Sequence, residues 1–273
     1  ARAGFWLVMV AAVLCGRGSA AAADCQSDDL LRRSVKWARF VWSRPAEFQS
    51  LWNRWDAHMR LLVQKVNRKD AAYLRRGGML IYPEEAVPLL WVSPFPPCLE
   101  ELSFVPKLVL VSQRLQAFAA YENGRLVCWG AVSTGTKLHP TPNGLYHANW
   151  RSRLKRSTIN RSWLMPWYVN LHTSMGVAFH QYALPGRPAS YGCIRLLEED
   201  ARWLYSWLEL SGSAAAMWGT PVLVFGEFQE DQTPPWEAPE LTEGIGKVER
   251  EEIEPLITRY GWALRQRTGP DSR

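Results

Sequence analysis

The sequence predicts a mainly β protein with some α-helix: a β-sandwich-like domain with one principal helix, preceded by an amphipathic helical region. Short apolar runs with strand spacing occupy residues 107–132, and helical spacing of apolar residues occupies residues 31–66. The 273 residues are 47% hydrophobic and 21% charged, and they include fifteen Trp. This composition excludes extended disorder for most of the chain.

The β region is predicted from residue 104 to residue 226. Residues 107–112, 115–121 and 126–132 are strand-like, and Asn123-Gly124 predicts a tight hairpin over residues 122–125. Further predicted strands are residues 145–149, 167–171, 177–180 and 221–225, and the principal helix covers residues 198–210.

The region from residue 25 to residue 80 is rich in Trp and Arg and is predicted to be helical. Leu31, Val35, Ala38 and Trp42 fall on one face of a first helix, and a second helix covers residues 48–66. The favoured interpretation puts the Trp side chains on the buried faces of a helical hairpin. The alternative is a docking platform for a polymer or a partner.

The two ends of the chain predict export and an acidic tail. Arg2, an apolar run at residues 5–14 and small residues up to Ala23 are typical of a secretion signal over residues 1–24; an uncleaved membrane anchor is the alternative. Residues 81–103 form a Pro-rich connector, and residues 227–273 form an acidic linker with a C-terminal helix over residues 248–267.

Export permits disulfide bonds, so the pairing of the cysteines is open to prediction. Cys128 lies in an apolar predicted strand, where a small buried Cys is common. This leaves Cys25 and Cys98 as the predicted pair. The cysteines lack the short paired spacings of a zinc site, so no metal is predicted.

The candidate for chemistry is a Cys/His pair. A cysteine acts as a nucleophile only as thiolate, and an imidazole can take its proton. His180 precedes Cys193, and Gly192 allows a tight turn that exposes the sulfur and aims backbone N–H groups at an oxyanion. His172 is the rival base, although His180 is favoured because it ends a predicted strand.

The text from Ser190 to Leu196, with His180 upstream, resembles the signature of the L,D-transpeptidase (YkuD-type) catalytic domain, in a variant with a short loop from His to Cys. Val132-Ser133-Thr134-Gly135 and Thr141-Pro142-Asn143-Gly144 are similar to two further family stretches, and the resemblance covers residues 104–226. Tyr191 stands where the family usually has His. The resemblance implies that a main-chain carbonyl beside Gly192 orients the base.

Two residues of the signature are predicted to contact substrate. The Arg195 guanidinium is suited to a substrate carboxylate, and the alternative is an ion pair with Glu198, Glu199 or Asp200. Ser190 is expected either to hydrogen-bond within the turn or to bind substrate. A basic run from Arg151 to Arg161 lies where a lid would cover the site and could attract an anionic substrate; the favoured interpretation is a solvated loop.

The resemblance implies a periplasmic enzyme that acts on the stem peptides of peptidoglycan. Cys193 would attack a stem carbonyl, expel the terminal D-Ala, and pass the acyl group to an amine on another stem or on a lipoprotein. No cofactor is implied. The alternatives are a hydrolase of the same fold (L,D-carboxypeptidase or endopeptidase) and a non-catalytic wall-binding module. Nucleic acid is not an expected partner, and the N-terminal helices are candidates for membrane or wall contact.

Overall fold

The computed structural model describes residue 32 and residues 34–211, 219–237 and 246–265. The fold is mixed, with strands predominating, which confirms the predicted class. A nine-stranded sheet has the order β6-β11-β3-β4-β5-β10-β9-β8-β7, and β1 and β2 form a separate two-stranded sheet. The strands are β1 (Trp37–Val41), β2 (Met79–Pro83), β3 (Lys107–Ser112), β4 (Ala117–Glu122), β5 (Arg125–Ser133), β6 (Gly144–His147), β7 (Trp150–Arg156), β8 (Leu164–His172), β9 (Val177–Gln181), β10 (Ile194–Leu196) and β11 (Pro221–Phe225).

The helices flank this sheet. They are α1 (Pro45–Arg54), α2 (Ala57–Val66), α3 (Ala71–Gly77), α4 (Glu198–Trp207) and α5 (Arg250–Arg265), with short 3-10 turns at Leu89–Val92, Glu100–Leu102 and Pro235–Glu237. The predicted principal helix is confirmed as α4, and the predicted C-terminal helix is confirmed as α5. None of the helices in the described ranges is long and apolar enough to cross a membrane.

The predicted hairpin between β4 and β5 is confirmed. Asn123 and Gly124 both have positive φ, of 47° and 75°, as the mirror-image turns of two-residue hairpins require. A Cβ atom at Gly124 would lie 2.4 Å from the carbonyl oxygen of Leu99. Glycine therefore serves both the turn and the close approach of the neighbouring chain.

The central strands are buried on both faces because side chains alternate along a strand. Leu108 and Leu110 of β3 join one buried cluster, whereas Val109 and Val111 join the other. Helix α4 covers the second face through Ala201 and Leu204. The N-terminal region and the connector cover the first face.

The first predicted helix is wrong for residues 37–41. Residues 37–41 form β1, which pairs antiparallel with β2 from Trp37 opposite Pro83 to Val41 opposite Met79. The second predicted helix is present, but it is divided at Asp56, whose carboxylate accepts from the Met59 N–H at 2.8 Å and caps α2.

The tryptophans of this region pack inward. A ladder of ring contacts runs from Phe40 through Trp42, Phe48, Trp52 and Trp55 to Tyr82, with centroids 5.2 to 6.1 Å apart. The Trp side chains therefore pack against one another, as the favoured interpretation expected, and Trp52 and Trp55 are partly buried. They do not belong to a helical hairpin, because Trp42 follows strand β1. The connector also packs, since Leu89, Phe95 and Leu102 are buried.

Buried charges join α2 to β5 and α4. The ammonium of Lys65 donates to Asp200 and to the Trp129 carbonyl, both at 2.7 Å. Lys65 is 1% exposed and Asp200 is 2% exposed. Residue 130 must be glycine for this pair to fit, because a Cβ atom there would lie 2.2 Å from Asp200 Oδ2.

The cysteines differ from expectation at one position. Cys98 and Cys128 are both disulfide-bonded, so the interpretation of Cys128 as an unpaired small residue is wrong. Cys193 is the free cysteine of the described residues. Cys25 lies outside the described residues, and so does the predicted secretion signal. The predicted Cys25 to Cys98 pair therefore stays a prediction.

The predicted domain boundaries also stay predictions.

Candidate functional site

The Cys/His pair lies on two neighbouring parallel strands. β9 and β10 pair with Ile194 opposite Phe179 and Arg195 opposite His180. Continuing this register by one residue places Cys193 beside Ala178. Cys193, Arg195 and His180 therefore project from the same face, while Phe179 and Ile194 enter the buried cluster on the other face.

The strand register sets the distance between the backbone positions of Cys193 and His180. Positions one strand apart and two residues along have Cα atoms roughly 8 Å apart, a span that a Cys and a His side chain together can bridge. The thiol is partly exposed and donates to the Gly176 carbonyl at 3.2 Å. The sulfur thus lies at the edge of the apolar cluster formed by Met165, Tyr168 and Ala178.

The turn before the nucleophile depends on Gly192. Its φ of 94° belongs to the left-handed region, where a side chain would be strained. Its carbonyl accepts from the Thr141 hydroxyl at 3.0 Å, and that hydroxyl accepts from the Gly135 N–H at 2.8 Å. The two stretches that resemble family text therefore meet at this turn.

The imidazole of His180 has a defined tautomer. Its Nδ1 lies 2.9 Å from the Gln181 carbonyl oxygen; because a carbonyl only accepts, Nδ1 carries the hydrogen and Nε2 keeps its lone pair. The orienting carbonyl is thus that of Gln181, whereas the resemblance implied one beside Gly192. Burial lowers the pKa of His180 to about 4, with the Gln181 hydrogen bond opposing this and Arg195 adding to it.

The thiol is also neutral in the free protein. Burial raises the pKa of Cys193 to about 11, while a hydrogen bond from the Ala178 backbone and the charges of Arg195 and Lys155 act to lower it. A neutral thiol beside a neutral imidazole is the protonation state from which an imidazole can act as general base. An ion pair is not preformed.

His172 has a structural role. Its Nδ1 accepts from the Met175 N–H at 3.3 Å, in the turn between β8 and β9. Its ring meets Tyr146 edge-on, 6.2 Å away, and Tyr146 belongs to the cluster on the other face of the sheet. The geometry favours His180 over this rival.

The remaining predicted site residues surround the pair. Tyr191 is 43% exposed at the lip, where its ring lies 4.2 Å from that of His139 and 5.3 Å from that of Trp163. The Ser190 hydroxyl is buried and donates to the Cys193 carbonyl, so its observed contact is within the turn. A role of Ser190 in substrate binding stays a prediction.

Arg195 lies directly opposite His180 in the paired strands and two residues after Cys193. Its guanidinium is 4.8 Å from the centre of the Tyr182 ring, and it forms no ion pair with Glu198, Glu199 or Asp200 within the described structure. The carboxyl of Asp200 pairs with Lys65 instead. Of the two expectations, the ion pair is absent here, and carboxylate binding by Arg195 stays a prediction.

The basic run, predicted as a solvated loop with a lid as the alternative, is part of a strand hairpin. β7 pairs antiparallel with β8 from Trp150 opposite Asn170 to Arg156 opposite Leu164, and it forms the edge of the large sheet. Its loop brings Trp163 to Tyr191. Neither β7 nor the contacts of His139 and Trp163 with Tyr191 were predicted from the sequence, because the charged alternation of β7 is also typical of a solvated loop.

A second group that the sequence did not indicate holds the segment between His180 and Cys193. The Asp70 N–H donates to the Leu184 carbonyl at 3.1 Å, and the Leu184 N–H donates to Asp70 Oδ2 at 2.9 Å. Lys69 bridges to Pro185 and pairs with Glu237 at 2.6 Å. No local sequence signal announces such contacts, since they join residues more than a hundred positions apart.

Comparison with known protein families matches one segment of the chain. Residues 106–224 match the family model of the L,D-transpeptidase catalytic domain, YkuD. This segment therefore has the sequence pattern and the fold class of the YkuD-type L,D-transpeptidase catalytic domain. No curated protein matches the chain.

Several solved L,D-transpeptidase structures are similar to this domain. One from Stackebrandtia nassauensis is 25% identical over 45% of this chain and 56% of its own, with a TM-score of 0.39. One from Mycobacterium smegmatis is 20% identical over 44% and 59%, with a TM-score of 0.38. L,D-transpeptidase 3 from Mycobacterium tuberculosis is 23% identical over 44% and 61%, with a TM-score of 0.35. The chain thus spans less than two thirds of each.

Proposed function

We propose that the protein is a cysteine-dependent peptidoglycan L,D-transpeptidase. The observation that carries the proposal is the placement of a free, partly exposed Cys193 thiol on the same face as the Nε2 lone pair of His180, inside an L,D-transpeptidase catalytic domain. The neutral state of both groups fits a base that accepts the thiol proton as attack begins.

The proposed reaction has two balanced steps. The Cys193 sulfur adds to the carbonyl carbon of the third stem residue while His180 takes its proton; the bond to the terminal D-Ala breaks, and His180 returns the proton to the leaving amine. An acceptor amine then attacks the thioester, His180 takes a proton from that amine, and the thiol is regenerated. Backbone N–H groups of Gly192 and Cys193 stabilise the oxyanion in each step.

The proposed location is the periplasm, and the proposed partners are stem peptides and an amine acceptor on a second stem or a lipoprotein. The chemistry needs no cofactor. The rival wall-binding module loses its main support, because the Trp side chains of the N-terminal region pack against one another. A hydrolase would differ only in giving the thioester to water.

The test is product analysis with defined tetrapeptide stems and an acceptor stem. Wild type is expected to give the crosslinked product and free D-Ala by mass spectrometry, whereas C193A and H180A give neither. H172A is the matched histidine control and is expected to keep activity. Free tripeptide without crosslinks would support the hydrolase, and equal products from wild type and C193A would refute both.

Covalent trapping gives an independent check. A carbapenem is expected to acylate Cys193, so the adduct should map to the peptide that contains residue 193. An adduct on another residue would contradict the assignment of the nucleophile.

A further inference from the structure

The half of the catalytic domain that carries the reactive pair has charges of one sign. Residues 123–197 contain nine Lys and Arg and no Asp or Glu, although the chain as a whole has 26 acidic residues. The field over this face therefore favours an anionic ligand. A field alone does not define a subsite, which requires a cation fixed beside the reacting atoms.

Most cations of this stretch are committed to neighbouring groups. Arg151 donates to the Tyr205 carbonyl, Arg153 lies 3.9 Å from the centre of the Trp167 ring, and Arg156 donates to the Arg161 carbonyl. Lys155 differs from them. Its ammonium lies 4.9 Å from the Trp150 ring and 5.3 Å from the Tyr168 ring, and it has no hydrogen-bond acceptor among the described residues.

An irregularity in β8 turns Lys155 toward the catalytic face. Met165 and Tyr168 are three residues apart, so regular alternation would place them on opposite faces, yet both pack in the cluster that Cys193 contacts. Between them, Trp167 has a φ of 56°, a conformation that bulky residues rarely adopt and that is common at functional sites. Lys155 pairs with Met165 across the hairpin and shares its face.

The surroundings of Trp167 hold this conformation. Its ring is covered by Arg153 and lies 5.2 Å from the Arg202 guanidinium and 5.5 Å from the Tyr205 ring. The charge of Lys155 lowers the pKa of the Cys193 thiol, so the ammonium is within electrostatic range of the sulfur. An anion bound there would lie beside the scissile bond.

We propose that Lys155, supported by Trp150 and Tyr168, binds a side-chain carboxylate of the donor peptide and makes the enzyme prefer anionic donors. The proposal rests on the proposed function and specifies its substrate. The two rings hold the ammonium by cation-π contact, and its hydrogen-bond donors have no acceptor among the described residues.

The test measures binding without turnover. The C193A protein is titrated calorimetrically with two tetrapeptides that differ only in a free or amidated side-chain carboxyl at the third residue. The free carboxylate is expected to bind about 10-fold more tightly, as expected for one charge-assisted contact. K155M in the C193A background should reduce this preference to less than about twofold, and K155R should retain most of it.

The controls separate a subsite from a general field. Lys137 is exposed at the rim, and K137M removes the same charge, so it should leave the preference intact. Equal binding of both peptides to C193A, an equal loss of preference in K137M, or a preference that survives K155M and disappears in R195M would each overturn the proposal. Failure of the wild type to crosslink either peptide would instead refute the proposed function.

Discussion

The contact between Asp70 and Leu184 leads to a prediction that can be measured in two ways. Asp70 Oδ1 accepts from the N–H groups of Ala72 and Tyr73, both at 3.0 Å, and thereby caps α3. Oδ2 accepts from the buried N–H of Leu184 at 2.9 Å. The substitution D70A removes both functions at once.

The expected loss of stability in D70A follows from these two contacts. Removing an N-cap costs about 1 kcal/mol, and leaving a buried N–H without an acceptor costs about 1–3 kcal/mol. The free energy of unfolding should therefore fall by about 2–4 kcal/mol in D70A. Asp56 provides the matched control, since its carboxylate caps α2 through Met59 alone, and D56A should lose only about 1 kcal/mol.

Urea unfolding of D70A, D56A and wild type measures this difference, and hydrogen exchange measures it locally. In D70A the Leu184 amide should exchange faster, and turnover should fall because the segment between His180 and Cys193 has lost its anchor. In D56A the exchange rate of the Leu184 amide and the turnover should both match wild type. Equal losses of stability in the two variants, or an unchanged exchange rate at Leu184, would refute the reasoning.

Three further predictions concern buried groups. K65M leaves the Asp200 carboxylate buried without its partner and should lower the free energy of unfolding by about 3–5 kcal/mol; K65M/D200N should recover much of this in the same urea assay. G130A places a Cβ against Asp200 and should cost about 1–3 kcal/mol, and an unchanged Tm would contradict that close contact. Because burial raises the pKa of Cys193 to about 11, the thiolate fraction, and with it the rate of alkylation by iodoacetamide, should rise about tenfold per pH unit from pH 7 to 10; a plateau below pH 9 would show an acidic thiol instead.

The sequence predicted the elements whose signals are local. β3, the turn at Asn123 and Gly124, and α4 each have their pattern within a few residues. The short motif around Cys193 indicates a candidate nucleophile in the same way. Asp56 also had a usable signal, since an Asp between two apolar helical stretches is a good N-cap, and it would have divided the predicted helix correctly.

The elements that were missed depend on distant partners. Ala38 and Trp42, four residues apart, fit a helical face and a strand face equally well. The strand is selected by pairing with β2, some forty residues further along the chain. β7 carries the charges that edge strands use against aggregation, and a solvated loop has the same composition. Lys155 was visible as a charge, but its orientation depends on the backbone of Trp167, which no residue pattern encodes.

The contact of Lys65, in α2, with Asp200, in α4, determines where the protein can be truncated. Met59, Leu62 and Val66 of α2 also belong to one buried cluster with Leu108. A protein shortened to residues 104–226 would retain every reactive group, yet it would present this apolar underside and an orphaned carboxylate to water. Residues 106–224 match the family model, but we expect a stable domain to require α2 as well.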